Sequence, residues 1–150
     1  MAMKKWIAMI LAILLVFRMA GCSKTRNYGH AKGMVGGKST RVISDTLTID
    51  FKGEDEETGE LIFTIQNPLD VQCAYGYAYV IEVLQDGQWY TTDYGPVDAP
   101  AGVYVIEPGE TREHFYKLFN DPPAGTYRLV LLEVDVGTQR TSIAEEFVLE

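Results

Sequence analysis

The sequence predicts an all-β sandwich built from seven or eight short strands in its C-terminal two thirds. Three observations lead to this class. Several short segments place apolar residues at every second position, which is the period of a strand with one buried face. Turn signals rich in Gly, Pro and Asp separate these segments. No stretch after residue 22 keeps helical spacing of apolar residues over three turns.

The predicted strands alternate with short turns along the chain. Residues 77–84 are apolar except for Glu82, which is typical of a central strand covered on both faces. Asp86-Gly87 follows this segment and can adopt the positive φ angles of a tight hairpin turn. In chain order, the predicted strands are residues 46–52, 61–65, 77–84, 88–92, 103–106, 111–118, 126–136 and 142–149.

The N-terminus has the features of an export signal. Lys4 and Lys5 precede an unbroken apolar run over residues 6–17, which is too short to span a bilayer permanently. The segment Met19-Ala20-Gly21-Cys22 that follows resembles the lipobox of bacterial lipoproteins. This resemblance implies cleavage before Cys22 and attachment of lipid to its thiol. An ordinary secretory signal or an uncleaved anchor helix is the alternative.

The sequence therefore divides into a lipoprotein signal peptide with a signal helix (1–21), a basic flexible tether (22–41) and a β-sandwich domain (42–150). The tether carries five basic residues, no acidic residue and four glycines. Residues 42–150 contain five basic residues and all 21 acidic ones. This polarity suggests that the tether lies on anionic headgroups while the domain is held away from the membrane. A merely solvated linker explains the same composition.

Charge and export restrict the expected location and partners. A net charge of -8 and a pI near 4.7 argue against nucleic acid, which requires clustered Lys and Arg. We expect a protein that is lipid-anchored through Cys22 to the outer face of the bacterial cell membrane. The membrane is then one partner, and an envelope protein or polysaccharide is the expected second.

A family resemblance covers most of the predicted domain. Six segments carry it by their order and spacing: Gln66-Asn67-Pro68, Tyr75-Gly76-Tyr77, Ile81-Glu82, Gly87-Gln88-Trp89-Tyr90, residues 106–111 and residues 124–128. Together they resemble a bacterial immunoglobulin-like domain of Gram-positive surface lipoproteins. The resemblance implies an immunoglobulin-like antiparallel β-sandwich of about seven strands. Gly125 and Tyr127 lie at the start of the longest predicted strand, where such a Tyr can form a structural tyrosine corner with upstream backbone.

Four aromatic residues form the candidate binding patch. Trp89, Tyr90, Tyr94 and Tyr104 flank the predicted hairpin and its following loop. Aromatic side chains offer large contact area and a polar group, so such a patch suits a sugar ring or a protein partner. The alternative is that some of the four belong to the core while the others cover a sheet edge.

The sequence shows no catalytic or metal-binding pattern. Cys73 and His114 are too isolated to indicate a nucleophile pair, and a buried free thiol is the simpler interpretation of Cys73. The acidic run at residues 54–57 lacks the alternating ligands of a calcium loop and fits a solvated hairpin tip. We therefore expect no enzyme activity, no cofactor and no metal.

The expected function is a non-catalytic binding or spacer module at the cell envelope. The alternative is an accessory or inhibitor subunit of an envelope enzyme, which would dock through the Tyr94-Tyr104 loop.

Overall fold

The computed structural model describes residues 35–150, which form ten strands in two antiparallel sheets. The described residues contain no helix long and apolar enough to cross a bilayer. The strands are β1 (Val35–Lys38), β2 (Thr48–Glu54), β3 (Leu61–Gln66), β4 (Cys73–Gly76), β5 (Tyr79–Gln85), β6 (Gln88–Thr92), β7 (Val103–Ile106), β8 (Thr111–Tyr116), β9 (Gly125–Val136) and β10 (Gln139–Leu149).

The larger sheet is organised around β9, its longest strand. β10 pairs with one side of β9, while β5 and β4 pair with successive parts of the other side. β6 pairs with β5 and carries β1 on its far edge, whereas β7 pairs with β4. The smaller sheet has the order β2-β3-β8. β6 and β7 therefore lie on the same side of the larger sheet, at different levels along β9.

The core lies between the two sheets and is rich in aromatic side chains. Phe63 on β3 is fully buried, and its ring packs against those of Phe51, Tyr116 and Phe147. Alternate residues of β3 and β9 supply several of the other large side chains of the core, and strands of both sheets supply the rest. The predicted all-β sandwich is confirmed.

The predicted hairpin is also present between β5 and β6. Asp86 and Gly87 have φ angles of 49° and 72°, which are the left-handed values that a two-residue hairpin turn requires. The sequence, however, predicts two strands fewer than the structure shows. It includes neither β1 nor β4, and it starts the strand that corresponds to β5 two residues early, at Tyr77.

The flexible tether expected at residues 22–41 is not flexible throughout, because β1 lies within it. Val35 and Lys38 pair with Thr92 and Tyr90 of β6. A Cβ atom on Gly36 would collide with the Thr91 hydroxyl, so the glycine that suggested a linker permits close strand packing. The signal helix, the predicted lipid-attachment residue Cys22 and the first part of the tether lie outside the described residues.

Candidate functional site

The four aromatic residues of the predicted binding patch do not lie on one surface. Tyr90 on β6 pairs with Val83 of β5, and Val83 pairs in turn with Tyr127 of β9, so Tyr90 and Tyr127 lie at the same level of the sheet. Through β4, Tyr104 on β7 lies level with a position on β9 that is seven residues beyond Tyr127. This offset corresponds to about 20 Å at the usual rise of a strand. The connectivity of the larger sheet therefore separates Tyr104 from the hairpin.

Tyr94 and Tyr90, two further residues of the predicted patch, pack against the interior of the domain. Tyr94 is only 3% exposed, and its ring packs against that of Tyr127. Tyr90 packs against the core from its edge. The loop between β6 and β7 consequently presents the exposed Val97, not Tyr94, to solvent. The structure thus gives no support to docking through aromatic residues of the Tyr94-Tyr104 loop.

Trp89 lies on the outer face of the larger sheet, where a cation covers it. The guanidinium carbon of Arg128 is 4.5 Å from the centroid of the Trp89 ring, which is cation–π distance. Arg128 is held in turn by Glu82, its cross-strand neighbour. One face of the indole is therefore occupied and is not available to stack on a sugar.

Glu82 is the centre of a buried ionic cluster, which we call the Glu82 clamp: Ser39, Arg41, Glu82 and Arg128. Ile81 and Val83 face the core, so Glu82 points to the outer face of the sheet, yet its side chain is fully buried. Oε1 accepts from Ser39 Oγ at 2.7 Å and Arg41 Nε at 3.0 Å. Oε2 accepts a hydrogen bond from Nε of Arg128 at 2.8 Å and lies 2.6 Å from Nη2 of the same side chain in an ion pair. Both oxygens of the carboxylate are thus paired with donors inside the protein.

An open hollow lies at the sandwich edge formed by β7 and β8, and we call it the edge hollow. It has a volume of about 530 Å³ and is lined by Tyr104, Arg112, Glu113, His114 and Phe115. The ring centroids of Tyr104 and His114 are 4.4 Å apart, and Phe115 is half exposed. The hollow therefore joins aromatic surface to one basic and one acidic side chain.

His114 contributes a neutral ring to the edge hollow. Burial lowers the pKa of His114 from its ordinary 6.5, and the positive charge of Arg112 lowers this pKa further. Its Nε2 shares a 2.7 Å hydrogen bond with the hydroxyl of Tyr75, whose pKa is raised to about 12 by burial. Arg112 itself is paired with Glu110 at 2.6 Å. Because the His114 ring is neutral and Arg112 is already paired with Glu110, the hollow suits a ligand with an uncharged ring better than a free anion.

In the part of the chain that the structure describes, Cys73 and the acidic hairpin tip lie in structural environments. Cys73 is 1% exposed, and burial raises the pKa of its thiol, which disfavours the nucleophilic thiolate. Among residues 35–150, no three His, Cys, Asp or Glu side chains form a group that could hold a metal ion.

In the acidic hairpin tip, Asp55 Oδ1 accepts hydrogen bonds from Thr58 and Glu57, which lower the pKa of Asp55. This carboxylate supports the local turn.

Tyr127 and Gly125 have the structural arrangement that the sequence suggested. The Tyr127 hydroxyl donates to the Pro123 carbonyl oxygen at 2.7 Å, which is the contact of a tyrosine corner. The ring lies over Gly125, where an added Cβ would be 3.4 Å from it. This hydrogen bond fixes the turn that leads into β9.

Sequence reasoning did not find the Glu82 clamp or the edge hollow. Glu82 was visible as the single charge in an apolar strand, which was the available signal for a buried ionic partner. Its partners Arg41 and Arg128 are 41 and 46 residues away, so only the fold could identify them.

Comparison with known proteins agrees with this architecture. A search of curated proteins found no match to the chain. Residues 43–147, which make up more than half of the sequence, match the family model described as bacterial Ig-like domain. With the two antiparallel sheets, the aromatic core and the Tyr127 corner, this match shows that the chain belongs to the bacterial Ig-like domain family.

Proposed function

We propose that this chain is an exported, lipid-anchored envelope protein whose Ig-like domain is a non-catalytic binding or spacer module. The observation that carries the proposal is the placement of Cys22 directly after small residues and an apolar run. The family match supports the module, since domains of this family are typically non-catalytic.

The charge distribution supports a domain that stands away from the membrane. Residues 35–150 carry seven basic and 21 acidic side chains, a balance of -14. The three basic residues nearest Cys22 are Lys24, Arg26 and Lys32. An anionic membrane surface would attract that short basic segment and repel the domain.

The edge hollow supports the binding form of the proposal. Tyr104 and His114 offer aromatic surface, while Arg112 and Glu113 place a donor and an acceptor beside it. Sugar rings bind to sites of this composition by stacking on an aromatic face and hydrogen-bonding at the rim. An envelope polysaccharide is therefore the ligand class that the hollow fits best.

Intact-mass measurement of the membrane fraction of expressing bacteria tests the anchor. The proposal predicts a chain that begins at Cys22 and carries added acyl mass. Cys22→Ser should abolish both features. Cys73→Ser is the matched control, because it removes the other cysteine of the chain and should leave acylation unchanged. An unmodified soluble chain in the wild type would contradict the anchored location.

Binding can be tested separately with soluble cell-wall glycan fragments as the probe. Nuclear magnetic resonance titration should shift the resonances of His114 and Phe115 in the wild type and much less in Tyr104→Ala. Trp89→Phe is the control, because Trp89 lies away from the hollow on the outer face. Equal shifts in all three proteins, or no shifts at all, would contradict a glycan site at this edge.

A further inference from the structure

We propose that residues 39–44, which we call the strap, hold the N-terminal end of the domain against the outer face of the larger sheet. The ionic contacts of the Glu82 clamp keep the strap in this position. The strap joins β1, on the edge of the larger sheet, to β2 of the smaller sheet, so residues 39–44 belong to the folded domain and not to a linker.

Backbone hydrogen bonds fix the strap at both ends. The Ser39 amide donates to the Trp89 carbonyl on β6 at 2.8 Å, and the Ser44 amide donates to the Ser142 carbonyl on β10 at 2.8 Å. In the larger sheet, β5 and β9 lie between β6 and β10. The strap therefore crosses the outer face from one edge to the other before β2 enters the smaller sheet.

Burial of outward-facing residues shows that this part of the outer face is covered. Glu82 and Arg128 are register partners, as are Val80 and Val130, so all four lie on one face. Glu82 and Val130 are nevertheless fully buried. An uncovered sheet face would expose both side chains to water.

Electrostatics couples closure of the strap to the burial of Glu82. Arg128 satisfies only Oε2, whereas both donors to Oε1, Ser39 and Arg41, belong to the strap. If the strap detached, Oε1 of Glu82 would lose both of its donors and would have to be rehydrated or remain unpaired. An unpaired buried charge is strongly unfavourable. The open strap is therefore disfavoured as long as the Glu82 side chain stays inside.

One consequence rests on the proposed lipid anchor. If the chain is attached at Cys22, residues 22–34 lie between the lipid and β1, the first strand that the structure describes. Arg41 is also engaged by Glu82 and is withdrawn from the basic residues that face the headgroups.

Hydrogen exchange tests this role of the strap in the full-length product, purified in detergent from whichever cell fraction contains it. The readout is the exchange rate of the Ser39 and Ser44 amides, measured by nuclear magnetic resonance. Arg41→Met keeps the aliphatic stem and removes the charge, and it should accelerate exchange at both amides by about tenfold. Arg41→Lys should restore part of the protection.

Arg140→Met is the matched control, since it breaks an ion pair on the exposed surface. It should leave both amides unchanged. If Arg41→Met exchanges at the wild-type rate, the clamp does not hold the strap and the proposal is wrong. Failure of the lipid anchor would instead appear as an unmodified mass with the exchange pattern intact, so the two failures are distinguishable.

Discussion

Glu82→Gln is the substitution that most directly perturbs the ionic cluster on the outer face. Both carboxylate oxygens accept hydrogen bonds, whereas an amide accepts at one oxygen only and turns an NH₂ group toward the donors at the other position. Arg128, which is 13% exposed, loses its charge partner without gaining access to water. Arg41 is 35% exposed and can turn toward solvent, so most of the cost falls on Arg128.

The size of the effect follows from these contacts. Removing one partner of a buried ion pair costs about 3–5 kcal/mol, and the lower end applies because Arg41 can be rehydrated. The 116 described residues have an unfolding entropy of about 0.24 kcal/mol/K, at about 2.1 cal/mol/K per residue. A loss of about 3 kcal/mol should therefore lower the Tm by about 12 °C.

Thermal unfolding monitored by circular dichroism measures this shift. Glu133→Gln is the control, because Glu133 is 66% exposed and lies 3.7 Å from Arg140 in a solvated ion pair. Its Tm should change by about 2 °C or less. A Glu82→Gln protein that unfolds at the same temperature as the control would refute the reasoning, since the cluster would then contribute no more than a surface pair.

Three further outcomes are expected. Tyr127→Phe removes the hydrogen bond to Pro123 and should lower the free energy of unfolding by about 1 kcal/mol in urea titrations. An unchanged midpoint would show that the tyrosine corner does not stabilise the fold. Because the folded-state pKa of His114 lies below its ordinary 6.5, the unfolded chain takes up a proton that the folded one resists, so stability should fall as pH drops from 6.5 toward the lowered pKa. His114→Asn should remove that part of the pH dependence, and an identical profile in both proteins would contradict the assignment. Cys73 should react with a thiol reagent only on unfolding, and rapid labelling of the native protein would show that it is accessible.

The parts of the fold that local pattern could predict are those that local physics determines. Asp86-Gly87 sets its own turn, and the alternation of Leu61, Phe63 and Ile65 fixes which face of β3 is buried. β1 has no such signal, because Val35-Gly36-Gly37-Lys38 offers neither alternation nor β-branched residues beyond the first. Its strand conformation depends on pairing with β6, a contact more than fifty residues away.

The candidate site was harder to predict because it is assembled across elements. Tyr104 and His114 belong to strands in different sheets, so their contact depends on how the sheets stack. Proximity in sequence suggested instead that Tyr94 and Tyr104 act together with the hairpin. Burial of Tyr94 against Tyr127 and the offset of β7 from β6 separate them.

Limited trypsin digestion of the membrane fraction, followed by mass measurement, tests whether the folded module, with β1 and the strap as parts of it, is attached to the membrane through Cys22. The account predicts cleavage at or before Lys32, release of the domain, and retention of an acylated N-terminal peptide by the membrane. Lys38 in β1 and Arg41 in the strap should resist cleavage while the domain is folded. Cleavage at Lys38 or Arg41 as fast as at Lys32, or a domain that is soluble before trypsin is added, would contradict the account.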